Sequence, residues 1–235
     1  GQYLGKEREA LYRDFENTMV RPYSEWPSPL PRAPHMCAPA EEAVLYRAML
    51  RSGMAVLVPA EEVLRDSEGK PVLGGLMCVP HKPDYDRLIF NRRPANPTER
   101  QFGWADQPQG AQLCDGYLKP GEALRGSGQD LSCYFYTLTA PPGHERRSCV
   151  GRVLDGGDWE DVGAKQGKQY FLGFRVWPMG DLNSCDVAQV AHEGILQEAG
   201  LAQEDSMVRY SKPLPQSRLQ EFVFIDDRHV ILRAS

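Results

Sequence analysis

Paired cysteines are missing from this sequence. Its six cysteines, Cys37, Cys78, Cys114, Cys133, Cys149 and Cys185, are scattered over 235 residues without one C-x-x-C spacing. Neither a zinc ribbon nor a disulfide framework is indicated, and a reducing compartment, nuclear or cytoplasmic, is the expectation. No apolar run approaches the roughly 18 residues needed to cross a bilayer. No basic-then-apolar leader follows Gly1, so no secretion and no membrane partner are expected, and the chain reads as a piece of a longer protein. A surplus of cations is lacking too: 27 Lys and Arg stand against 32 Asp and Glu, a net charge of -5. That balance counts against a uniformly polyanion-binding surface. One local exception runs from His81 to Arg100, where Lys82, Arg87, Arg92, Arg93 and Arg100 face only Asp84, Asp86 and Glu99. Internal repeats and low-complexity tracts are absent.

What is present is ordinary globular material, 41% hydrophobic and 25% charged. Leu11, Phe15, Met19 and Val20 fall at helical intervals and predict a helix over 5–20. The proline-rich stretch 21–39 predicts an irregular connector. A second helix is expected over 39–51, with Glu41 and Glu42 in its first turn and Gly53 closing it. Apolar segments at 54–59, 72–80 and 86–91 predict three strands of one small sheet. A loose stretch over 92–128, a loop-rich insert over 139–169, a strand over 170–176 and a helix over 183–200 follow. Val187, Ala191, Ile195 and Ala199 mark one face of that helix. Two β-rich segments, EFVFI and HVIL, end the sequence.

Four places carry residue types suited to chemistry. Asp226 and Asp227 lie between the two final β-rich segments. An acidic pair there is an ordinary hairpin turn, or a device that lifts two oxygen ligands to the lip of a cleft, where they suit Mg²⁺. The second use needs a distant partner. Asp130, at the end of a presumed strand and opening DLSCYFYTL, is either a helix cap or that partner. Carboxylates from two strands can hold the pair of metal ions that phosphoryl transfer uses. Gly180 sits in a Trp-Pro-Met-Gly turn, where a missing Cβ permits close approach. Lys82 and Arg87 bracket a turn between strands, either as a solvated hairpin or as donors for a triphosphate.

In this order the four elements resemble the reverse transcriptases of retroelements and retroviruses, over residues 54–235. FIDD is similar to that family's Y-x-D-D signature, with Phe224 in the Tyr position. WPMG is similar to its L-P-Q-G turn, DLSCYF to its D-x-x-x-x-F/Y motif, and HKPDYDRLIFNRRPAN to its fingers hairpin with an R-x-x-N ending at Arg93 and Asn96. Met179 departs from the usual Gln and Asn91 from a frequent Asp.

The resemblance implies catalytic, metal-binding roles for Asp130, Asp226 and Asp227, with two Mg²⁺ or Mn²⁺ ions. It implies substrate contacts for Lys82 and Arg87 at the triphosphate, for Phe135 as a gate against the ribose 2′-hydroxyl, and for Gly180 and Gln189. The implied activity is RNA-directed DNA synthesis, with an RNA or DNA template, its primer and dNTPs as partners. The alternative is a truncated or non-catalytic relative that binds nucleic acid without polymerising. The implied fold is α/β (α+β): a palm of antiparallel sheet backed by helices over 129–235, a fingers-like region over 54–128, and an N-terminal helical region with its connector over 1–53. No thumb is expected in this sequence.

Overall fold

A computed structural model describes residues 2–234, so Gly1 and Ser235, the outer limits of the expected regions, lie outside it. The fold is mixed α/β, with small antiparallel sheets and helices. Two compact units are each assembled from separate stretches: residues 1–10, 102–134 and 185–235 form the first, residues 11–101 and 135–184 the second.

The helix expected over 5–20 forms as α1 (Lys6–Arg13) and α2 (Phe15–Thr18), broken at Asp14 with φ -102 and ψ 35. Phe15 and Met19 point inward as their spacing implies, while Leu11 is exposed and Tyr12 takes its place. The α3 helix (Pro39–Ser52) matches expectation in its details. Pro39 opens it where the missing N–H costs nothing, and Gly53 closes it in the left-handed conformation, φ 77.

In the second unit, β1 (Ala55–Pro59), β5 (Cys149–Asp155) and β6 (Gln169–Phe174) form a sheet in the order β1-β6-β5. The strands β2 (Gly75–Lys82) and β3 (Tyr85–Asn91) pair only with each other. This corrects the expectation that 54–59 would share a sheet with 72–80 and 86–91. The cause is β6, which is buried along nearly its whole length. Its backbone groups need partners on both edges, and β1 and β5 supply them. The insert expected to be loop-rich holds α4 (His144–Arg147) as well as β5. A register shift between Val150 and Leu154 interrupts the alternation of β5 at Gly151, whose φ is 76 and whose Cβ would collide with Tyr46 Oη. Leu76, Phe90, Val150, Leu172 and Phe174 centre the core, with Phe90 stacked on Phe174 at 4.7 Å between ring centres.

In the first unit, β4 (Ala123–Asp130), β7 (Leu219–Phe224) and β8 (Asp227–Ala234) form an antiparallel sheet in the order β4-β8-β7. The β4 strand begins inside the stretch expected to be loose and is exposed throughout. Pairing with β8, not burial, makes it a strand. The α5 helix (Ser184–Glu198) packs more of its surface than the expected face: Ala188, Gln189, Val190 and His192 are buried beside Val187 and Ala191. Leu196, Ala202, Met207 and Val223 close a small core between helix and sheet. No helix is long and apolar enough to cross a membrane among the described residues.

Candidate functional site

The final hairpin positions two of the three predicted carboxylates. Phe224 pairs with Asp227, leaving Ile225 and Asp226 as a two-residue loop. Ile225 has φ 58. A positive φ at the first loop position alone is the signature of a type II′ turn, which matches the twist of the flanking strands and favours glycine there. For a β-branched residue that conformation costs about 1–3 kcal/mol.

The third carboxylate comes from β4. Asp130 is the direct cross-strand partner of Asp227, and the amide of Leu131 donates to the Asp226 carbonyl at 3.0 Å. Directly opposed residues share a face, with Cβ atoms about 4.5–5.5 Å apart. Asp130 and Asp227 therefore emerge side by side at one end of the sheet, with Asp226 in the adjoining loop. Their face continues through Gly128, His229, Phe222 and Phe224, which line a largely apolar hollow of about 730 Å³. Glu221, Val223 and Arg228 turn to the opposite, buried face, where Arg228 pairs with Glu221 at 2.6 Å. The Tyr134 hydroxyl is held above its ordinary pKa by burial and, secondarily, by the charge of Asp226.

No guanidinium pairs with Asp130 or Asp227 among the described residues. A donor set of carboxylate oxygens alone, at an open strand end, has the hard character that Mg²⁺ or Mn²⁺ requires.

The predicted site residues divide between the units. Gln189 lies in the first unit with the three aspartates, but fully buried in α5, where it bonds the turn rather than facing solvent. Lys82, Arg87, Phe135 and Gly180 belong to the second unit. Lys82 opposes Tyr85 across the β2–β3 hairpin, and Arg87 lies two residues along β3, so all three share an exposed face. Arg87 contacts the ring of His81 at 3.3 Å. Phe135 is 9% exposed. Gly180 has φ 108, and a Cβ there would lie 2.1 Å from the Phe90 carbonyl oxygen, so its own backbone requires glycine. Asn96 ties this turn down: its Nδ2 donates to the Gly180 carbonyl at 3.0 Å and its Oδ1 accepts from the Leu182 amide at 3.2 Å. The R-x-x-N and W-P-M-G segments, like the two aspartate segments, are brought together.

Sequence reasoning missed a second acidic cluster. Glu99, His144 and Asp181 are buried with their ligand-type atoms within 4.8 Å of one another. Arg92, counted in the sequence as part of a basic surface, is 1% exposed and grips both Glu99 oxygens at 2.6 Å. Its Nη1 lies 3.1 Å from Asp181, and Arg147 Nε donates to Glu99 at 2.8 Å. Burial alone would raise the Glu99 and Asp181 carboxyls. The Arg92 charge, together with hydrogen bonds and the nearby His144, outweighs it and holds both below their ordinary values. Two guanidinium groups already occupy the coordination sphere that a cation would need, so this set does not fit a metal ion. Arg93, the residue matched to the R-x-x-N motif, is exposed.

No family model matches the sequence, and no curated protein matches it. Among solved structures, a foamy viral protease-reverse transcriptase in complex with double-stranded DNA aligns with a TM-score of 0.51 at 17% identity. The fold is reverse-transcriptase-like. The alignment covers 91% of this chain and 31% of that one, so the chain spans about a third of that protein's length.

Proposed function

We propose that this chain carries the polymerising centre of a template-directed DNA polymerase of the reverse transcriptase kind. One observation carries the reading: Asp130 pairs directly with Asp227 beside the loop that holds Asp226, in a fold of this type. If Asp130 were only a cap and Asp226-Asp227 only a turn, nothing would require these distant segments to be neighbours.

Asp130 and Asp226 would hold two divalent cations, Mg²⁺ or Mn²⁺, with Asp227 assisting. Bound there, such ions would supply the positive charge that lowers the pKa of a primer 3′-hydroxyl and offsets charge on the α-phosphate and leaving pyrophosphate of a dNTP. Lys82 and Arg87, exposed on one face of their hairpin, would bind the triphosphate oxygens, Arg87 through its forked donors. The ring of Phe135 would exclude a ribose 2′-hydroxyl, and the Gly180 turn, packed against the Phe90 backbone, would support the site rather than open it to substrate. Pairing with the RNA or DNA template, not a side chain, would choose the base.

The test is extension of a DNA primer on an RNA template by the purified chain with dNTPs and Mg²⁺, beside Asp226→Asn. Extension lost in the variant supports the reading. Primer-template binding in a gel shift without any extension assigns the chain instead to the non-polymerising relatives.

A further inference from the structure

Ile225 is held in its left-handed conformation from both sides by α5. Its amide donates to Gln189 Oε1 at 2.8 Å, and its carbonyl oxygen lies 2.8 Å from His192 Nδ1. A carbonyl can only accept, so Nδ1 is the donor in this bond. Gln189 and His192 are three residues apart and share a helix face. Each is anchored in turn. Gln189 Nε2 donates to the Val223 carbonyl and to Glu193, both at 2.7 Å, and Glu193 pairs with Arg209 at 3.0 Å. The His192 ring packs against Tyr134 at 5.7 Å and 60°, and the Tyr134 hydroxyl donates to the Ala188 carbonyl at 3.2 Å.

We infer that Gln189 and His192 are positioning residues that clamp the strained peptide at Ile225 and thereby aim the carboxylates of Asp226 and Asp227. The Ile225 carbonyl lies in the peptide plane that also contains the Asp226 nitrogen, so pinning that oxygen fixes the plane from which Asp226 departs. A β-branched residue left to itself relaxes to negative φ, which would rotate the plane and swing both acids. Gln189 therefore acts through the turn rather than by touching substrate. The inference rests on reading Asp226 and Asp227 as metal ligands, and its test separates the two.

The probe is Mn²⁺ alone, titrated into the full chain and followed by electron paramagnetic resonance. Amide hydrogen exchange over 224–227 is measured in parallel without metal. His192→Phe keeps a ring against Tyr134 and removes the donor. It should weaken Mn²⁺ binding about tenfold, as loss of a partner behind a metal ligand does, and should speed exchange across the turn. His192→Asn, which retains an N–H near the Nδ1 position, should restore most of both. Ile225→Gly combined with His192→Phe should also recover affinity, because glycine adopts positive φ without strain. Wild-type exchange and affinity in His192→Phe would overturn the clamp, as would loss that neither His192→Asn nor the Ile225→Gly combination repairs. If the wild-type chain has no Mn²⁺ site that Asp226→Asn abolishes, yet exchange still rises in His192→Phe, the metal reading fails and the clamp stands. Should His192→Phe not fold, Gln189→Met, which removes the acceptor for the Ile225 amide, is read the same way: wild-type exchange at that amide together with wild-type Mn²⁺ affinity would overturn the clamp.

Discussion

The two units each gather acids, and they treat them in opposite ways. In the second unit Glu99 and Asp181 are sealed in the interior and gripped by Arg92, with Arg147 on Glu99. In the first, Asp130 and Asp227 face each other at an open strand end, with no guanidinium partner among the described residues. The sealed set has ligand atoms close enough to suggest a metal site, yet its charge is already balanced by fixed cations. Asp130 and Asp227 carry like charges side by side, with no guanidinium fixed on either among the described residues. Proximity alone therefore misleads: a buried, paired cluster serves architecture, and an open, unbalanced one is where a dissociable cation is useful.

The sharpest way to break this contrast is Arg92→Met. Removing one partner of a buried ion pair leaves an uncompensated charge and costs about 3–5 kcal/mol. A matching fall in the urea midpoint is expected, and a change within error would mean that the sealed network is not structural. Phe135→Ala comes next, at about 3 kcal/mol for emptying a buried aromatic site. If Phe135 also gates the sugar, a longer polymerising form with this change should incorporate ribonucleotides more readily. Unchanged discrimination would leave Phe135 a packing residue only.

Acid should expose the same difference. Burial opposes ionisation of Glu99 and Asp181, but Arg92 and His144 together hold both below their ordinary pKa in the folded state. Their contribution to stability is therefore complete above the unfolded carboxylate range of about 4 and is lost as pH falls through the lower folded values. In Arg92→Met the opposing cation is gone and burial dominates, so both carboxyls should titrate above their unfolded range and their protonation should favour the folded state; the loss of stability on acidification should shrink or reverse. Urea unfolding from about pH 6 downward reads it, and superimposable limbs would show that Arg92 does not set these carboxyls.

Much of this was legible from residues. The α3 helix was marked by Pro39, Glu41, Glu42 and Gly53, and β1, β3, β6, β7 and β8 by apolar runs between turn residues. The aspartate segments were found by motif order. What stayed hidden depended on distant partners. The strand β4, ALRGSGQD, has no inward alternation to read and exists because β8 pairs with it. The alternation of β5 is broken at Gly151, where Tyr46 crowds the backbone. Arg92 looked like surface charge because the residues that bury it, Arg147 and Asp181, come from elsewhere in the chain. His192 sat in an apolar helix with no sign that Ile225 would need its proton.

The smallest expected effect has the most telling sign. Asp130 and Asp227 are direct cross-strand neighbours, and like charges so placed oppose pairing by about 0.2–1 kcal/mol. At an exposed strand end the lower part of that range applies, because water screens the charges. Asp130→Asn keeps the shape and removes the repulsion, so it should stabilise the metal-free chain by a few tenths of a kcal/mol, while abolishing Mn²⁺ binding. Salt already screens the repulsion in the wild type, so the gain should shrink between low ionic strength and about 1 M, where the Debye length is about 3 Å. A residue kept against its own stability cost fits a site retained for binding. If Asp130→Asn instead destabilises the chain at every salt concentration, Asp130 is an ordinary structural cap, and the open cluster loses its distinction from the sealed one.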